Sequence, residues 1–160
     1  LTAAHIVGDA RDFVVTLSDG RKFPGTIMMK SIVSDLAVIG IEATGLPFAK
    51  IGEPAQIGQS ILVVGNPFNM LGSVSLGHVA LTDYEAKGRP HVLIHSVVLP
   101  GNSGGGMFSL DGRLIGVITM TRLVPANFMN ASITTLYPIG IAEPIEEIKE
   151  FLTTVDELWR

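Results

Sequence analysis

The chain has 160 residues, 47% of them hydrophobic and 16% charged, against roughly 25% charged in an average globular domain. That is enough for one domain or two small lobes sharing an interface, with much of the apolar surface buried or offered to a partner. The formal charge is -4 with Lys and Arg scattered, which excludes the basic footprint of a nucleic-acid binder, and no apolar run approaches the ~20 residues that span a bilayer. There is no cysteine, so thiol, thiolate-zinc and iron–sulfur chemistry are excluded as well.

In chain order, short apolar runs rich in Val and Ile alternate with Gly, Asp and Pro: Phe13–Leu17, Phe23–Met29, Leu36–Ile41, Ser60–Val64, Ser73–Leu81, Val92–Val98, Arg113–Met120 and Leu136–Ala142. Evenly spaced short strands of this kind predict an all-β barrel or sandwich. Ser18-Asp19-Gly20 and Leu110-Asp111-Gly112 each lie between two runs and read as hairpin turns, hence antiparallel pairing. After the last strand the period changes. Pro144 suits a first helical position, Glu146 and Glu147 suit the positive end of the dipole, and Ile145, Ile148, Leu152, Val155 and Trp159 recur at helical spacing. One amphipathic C-terminal helix is expected, with its Phe and Trp packed as core contacts.

Three segments can carry chemistry. Gly101-Asn102-Ser103-Gly104-Gly105 sets a hydroxyl among residues that tolerate unusual backbone angles and leave room for a peptide carbonyl. The N–H groups of Gly101 and Ser103 could turn toward one point and hold a tetrahedral oxyanion. Taken alone, the run is equally a glycine-rich turn. A phosphate loop is excluded because no Lys ends the run and because Met107 to Met120 reads as a hairpin rather than a helix. The second segment is Leu1-Thr2-Ala3-Ala4-His5, and the third is Ser34-Asp35 at the mouth of an apolar strand, where a carboxylate needs a donor. Each has an ordinary structural reading by itself. Their chain order of His, Asp, Ser, with the Ser in a glycine-rich loop, is the order of the chymotrypsin-type triad.

On these residues the chain resembles the trypsin-like peptidases, and within them the HtrA (Deg) group of quality-control proteases. LTAAHIV resembles the catalytic-His motif, FVVTLSDGRKFPGTI and SDLAVIGIE the stretch leading to the catalytic Asp, and LPGNSGGGMFSLDGRLIGVI the Ser motif and its hairpin. GQSILVVGNPFNMLGSVSLGHVA is similar to the segment opening the second lobe, and YPIGIAEPIEEIKEFL to the closing strand and helix.

The resemblance implies one protease domain over residues 1–160: two six-stranded antiparallel barrels, a first lobe to about residue 48, a second over about 49–142, and a helix over about 144–159. It implies His5 as general base, Asp35 as its orienter, Ser103 as nucleophile, and an oxyanion hole on Gly101, Asn102 and Ser103; were Asp35 not the acid, Asp9 and Asp12 would be the nearest candidates in sequence. A substrate pocket is expected on Val97, Val98 and Leu99 and on Thr119, Met120 and Thr121. It would be shallow and apolar, accepting Val, Ala, Ile or Leu with loose selectivity among them and excluding Lys and Arg. Polypeptide substrates, a homotrimer and a periplasmic, extracytoplasmic or organellar location follow from the resemblance, with no cofactor, metal, nucleic acid or membrane contact. A non-catalytic peptide-binding or chaperone-like domain of the same fold is the alternative.

Three features depart from the HtrA pattern, while a fourth, Asn102, departs only from the digestive proteases and matches the group. The chain begins four residues ahead of His5, so the first barrel is expected to lack its N-terminal strands. Pro100 stands where the group often has Arg. Asn102 replaces the Asp of digestive proteases, so activation by N-terminal cleavage is not expected. With no PDZ-like domain read after Trp159 in these residues, the peptide-regulated control and cage assembly usual in the group are not expected from this sequence. His91 and His95 have a zinc-helix spacing, but Val92-Leu93-Ile94 favours a strand, which would set them about 13 Å apart. His78 is expected on a strand or loop, not as a second base.

Overall fold

The structure, a computed structural model, describes residues 1–10, 12–127 and 134–159, with only the backbone at 123–127 and 134–138. Its first part opens with β1 (Thr2–Ala3) and a single helical turn, α1 (Ala4–Val7), followed by the hairpin of β2 (Val14–Thr16) and β3 (Lys22–Pro24). β4 (Thr26–Ser31) and β5 (Leu36–Gly40) then form an antiparallel sheet with β1, in the order β1-β5-β4. The run Phe23–Met29 was expected as one strand but divides at Gly25. There the amide bonds Phe13 O at 3.0 Å and the Phe13 ring fills the space a Cβ would need.

The second part is a closed six-stranded barrel. β6 (Ser60–Gly65), β7 (Ser73–Ala86), β8 (Arg89–His95), β9 (Gly106–Ser109), β10 (Leu114–Asn127) and β11 (Thr134–Pro144) pair in the order β10-β11-β8-β7-β6-β9. Alternate residues point inward, as a strand requires, so Ile61, Val63, Val79, Val92, Ile94, Met107 and Ile118 fill the interior. The hairpin read at Asp111-Gly112 joins β9 to β10, with Gly112 at φ 82. β7 runs past its expected end at Leu81. Its turn is Lys87-Gly88, with φ 50 and 75, the double positive φ that a tight two-residue hairpin needs. Conversely, the run Val92–Val98 stops pairing at His95, which releases residues 96–105 as a loop.

α2 (Ile145–Leu158) closes the molecule, starting one residue later than expected because Pro144 caps it from outside. Its apolar stripe of Ile145, Ile148, Phe151 and Val155 is buried against Leu36 of β5 and Val117 of β10. One helix therefore clamps both lobes. Each such side chain contributes about 1.5–3 kcal/mol by leaving water. Trp159 departs from expectation: it is half exposed at the helix end, and its indole N–H donates to Met28 O at 3.3 Å.

Candidate active site

Asp35 follows the β4–β5 turn with φ 51, a left-handed conformation that Asp tolerates better than most residues. The turn puts its carboxylate inside, where the residue is only 6% exposed. Ala4 N–H donates to Asp35 O at 2.8 Å, which fixes α1 over this turn. His5 is then held twice: its backbone N–H donates to Asp35 Oδ1 at 2.9 Å, and its ring Nδ1 lies 2.8 Å from Asp35 Oδ2. A carboxylate can only accept, so Nδ1 carries the hydrogen and the neutral ring presents Nε2 as a base. Lys87, at the tip of the β7–β8 hairpin, reaches the same Oδ2 at 3.5 Å. Asp9 is directed elsewhere, pairing with Lys30 at 3.3 Å.

Ser103 sits in the loop between β8 and β9. Asn102 N–H bonds Leu99 O at 3.0 Å, Gly105 N–H bonds Asn102 O at 2.9 Å, and Gly104 N–H bonds Ile118 O at 2.7 Å. The residues after β6 hold the other side of the loop: Phe68 N–H bonds Pro100 O and Asn66 N–H bonds Gly101 O, both at 3.3 Å. A trans peptide points its C=O and N–H in opposite directions. Anchoring Pro100 O therefore aims Gly101 N–H away from Phe68, and anchoring Asn102 O aims Ser103 N–H away from Gly105. Among the described residues neither N–H has an acceptor. Gly101 has φ 101, and a Cβ there would lie 2.5 Å from Asn66 O, so no other residue fits.

Gly104 supplies the link between the lobes. A Cβ on it would run into Thr2 Oγ1 and come within 3.0 Å of Ala3 N, so the Ser103 loop rests directly on the strand that leads to His5. Among the described residues no hydrogen bond joins Ser103 Oγ to His5. The structure thus brings His5 and Asp35 together and lays the Ser103 loop on the same strand without closing the last contact.

A cavity of about 530 Å³ opens beside Ser103, walled by Val98, Leu99, Pro100, Thr119, Met120, Thr121 and Arg122. Val97 is 55% exposed and lies outside this wall. Among the described residues Thr119 Oγ1 and Asn102 Oδ1 are buried without a partner, while Asn102 Nδ2 donates to Val97 O at 3.4 Å. Pro100 and Arg122 were not foreseen as lining residues, and neither were Asn66 and Phe68 as anchors. Residue 68 has φ 48, which no sequence pattern reveals.

The remaining histidines lie on strands. His78 and His95 face each other across β7 and β8 with ring centroids 5.2 Å apart. His91 is buried: Nδ1 lies 2.9 Å from Arg89 O and Nε2 lies 2.9 Å from Glu143 Oε1. Arg89 also binds Glu143, and it reaches Glu147 at 3.1 Å. Burial raises the Glu143 carboxyl above the ordinary carboxylate range, against the pull of His91 and Arg89. This network joins β8, β11 and α2 away from Ser103, and nothing in the sequence pattern announced it.

Residues 1–117 match the family model described as a trypsin-like peptidase domain. The chain belongs to the trypsin-like peptidase family. Within this family it is 38% identical over 130 residues to a probable periplasmic serine endoprotease DegP-like of Chlamydia muridarum, covering 74% of this chain and 25% of that protein. It is 35% identical over 166 residues to the putative serine protease HhoA of Synechocystis sp., covering 97% of this chain and 39% of the relative. The solved structure of the HtrA-type protease AlgW with decapeptide superposes with a TM-score of 0.82 at 28% identity, over 98% of this chain and 47% of that one. This trypsin-like peptidase domain is thus of the HtrA kind, and it spans between a quarter and two-fifths of the curated relatives just named. No described helix is long and apolar enough to cross a membrane.

Proposed function

We propose that this domain hydrolyses peptide bonds in unfolded polypeptides through an acyl-enzyme, with Ser103 as nucleophile, His5 as general base and Asp35 as its orienter. The observation that carries this reading is the two-point hold of Asp35 on His5, at 2.9 and 2.8 Å, which leaves Nε2 free to accept a proton. Nε2 takes the Ser103 proton as Oγ attacks the carbonyl carbon, and the carbonyl π pair moves onto oxygen. Gly101 and Ser103 N–H groups, without an acceptor among the described residues and held by their anchored peptide planes, stabilise that oxygen. His5 then gives its proton to the leaving amine, and water repeats the sequence to release the acyl group.

The cavity beside Ser103 receives the side chain before the cleaved bond. Buried Val98 with Met120 and the absence of a carboxylate among the lining residues favour aliphatic residues over basic ones. The backbone of Thr119–Thr121 would hold the peptide as an added strand. The relatives named periplasmic support an extracytoplasmic location, and a homotrimer is the assembly the resemblance suggests.

The missing Ser103–His5 hydrogen bond favours one competing reading, a peptide-binding domain without turnover. Rapid labelling of Ser103 by a fluorophosphonate, together with casein cleavage abolished in Ser103→Ala, is the expected result. Slow labelling with intact peptide binding would establish the binding domain instead.

A further inference from the structure

Among the residues lining the cavity beside Ser103, Arg122 alone is charged. Its side chain is exposed, and Nη1 donates to the Tyr84 hydroxyl at 2.8 Å. Among the described residues no carboxylate lies within ion-pair distance of it, and residues 123–138, next to it in the chain, contain neither Asp nor Glu. A guanidinium has five N–H donors in one plane. The phenol oxygen occupies one and orients the fork without neutralising it, so several donors and the whole positive charge remain available at the mouth of the cavity.

From these observations we infer that Arg122 selects substrates bearing a carboxylate side chain near the cleaved bond, an inference that rests on the peptidase reading above. A planar fork held in place accepts a carboxylate by two parallel bonds, a geometry that no other residue of this wall offers. The distance along the strand sets the position. Residues in a strand rise about 3.3 Å each, so Arg122 lies about 10 Å beyond Thr119. A peptide laid along Thr119–Thr121 would bring its second or third side chain from the cleaved bond to the guanidinium. The aliphatic pocket and the cation then act together, one reading an apolar residue and the other an Asp or Glu a fixed number of residues away.

The test uses the full chain carrying Ser103→Ala and fluorescein-labelled peptides with a fixed Val, in which a single Glu is moved through the flanking positions and replaced by Lys in a matched set. Anisotropy titration is expected to show Glu binding about three- to tenfold tighter than Lys at one position on the side lying along Thr119–Thr121. Arg122→Ala is expected to abolish that difference, Arg122→Glu to reverse it, and Tyr84→Phe to reduce it by freeing the fork. A mere structural role would shift all peptides together. A Glu–Lys profile unchanged by Arg122→Ala, or absence of peptide binding, overturns the inference. Because binding is read without turnover, fluorophosphonate labelling of the parent chain decides the peptidase reading separately.

Discussion

Lys87 and Asp35 lie 52 positions apart in the chain, yet the Lys87 ammonium stands 3.5 Å from Asp35 Oδ2, the oxygen that also meets the His5 ring. The second lobe thereby places a cation on the acid of the first. Lys87 is about half exposed, so water and salt weaken the pair. Lys87→Ala is expected to cost less than about tenfold in kcat, in line with exposed ion pairs. Lys87→Arg should retain activity, and added salt should lower the parent's kcat toward that of Lys87→Ala. A loss above a hundredfold would show instead that the hairpin tip organises the site.

Asp35→Asn tests the orientation of His5 directly. An amide nitrogen turned toward Nδ1 donates where the carboxylate accepted, favouring the wrong tautomer, and kcat should fall about 10⁴-fold with the fold intact. Steady-state kinetics on an unfolded substrate, with a thermal melt as control, measure it. A loss under tenfold would remove Asp35 from the role.

Gly104→Ala should separate Ser103 from His5, the proposed nucleophile and base. The added methyl has to displace Thr2, and residue 104 has φ 78, so the Ser103 loop moves off the strand leading to His5. A shift of about 1 Å costs on the order of 10²-fold in turnover. The expected signature is a large fall in kcat beside a small fall in melting temperature. Unchanged kcat would mean that the loop is positioned from the Asn66–Phe68 side alone.

Arg89→Ala leaves Glu143 buried with one cation fewer. Breaking a buried pair in this way costs about 3–5 kcal/mol. The pH dependence has a definite sign. Glu143 already titrates above the ordinary carboxylate range because burial disfavours its charge, so its favourable contribution is complete at acid pH and declines as pH rises through its raised value. Losing Arg89 pushes that value higher. The deficit of the variant in urea unfolding should therefore widen between about pH 4 and about pH 8. An equal deficit at both would indicate that Arg89 does not shift the titration of Glu143 within that interval.

Much of this molecule is legible in one dimension because its determinants are local. Strand alternation, the Asp-Gly turn before Arg113 and the helical stripe ending at Val155 are each properties of a few consecutive residues, and the structure places strands and helix close to where they suggest. His5, Asp35 and Ser103 could be put forward as a triad because residue type and order are written in the chain, and the structure brings His5 and Asp35 together. What needed the tertiary structure is whatever depends on two distant segments meeting. Lys87 reaches Asp35 only because β7 extends to Ala86 and turns on two positive φ angles. Phe68 and Asn66 hold the Ser103 loop only once β6 and the loop ahead of β9 are neighbours. His91, Glu143 and Arg89 become a charge network only when β8, β11 and α2 close around them, and Val97 leaves the pocket that Arg122 enters because the chain's path, not its composition, decides which side chain faces the cavity.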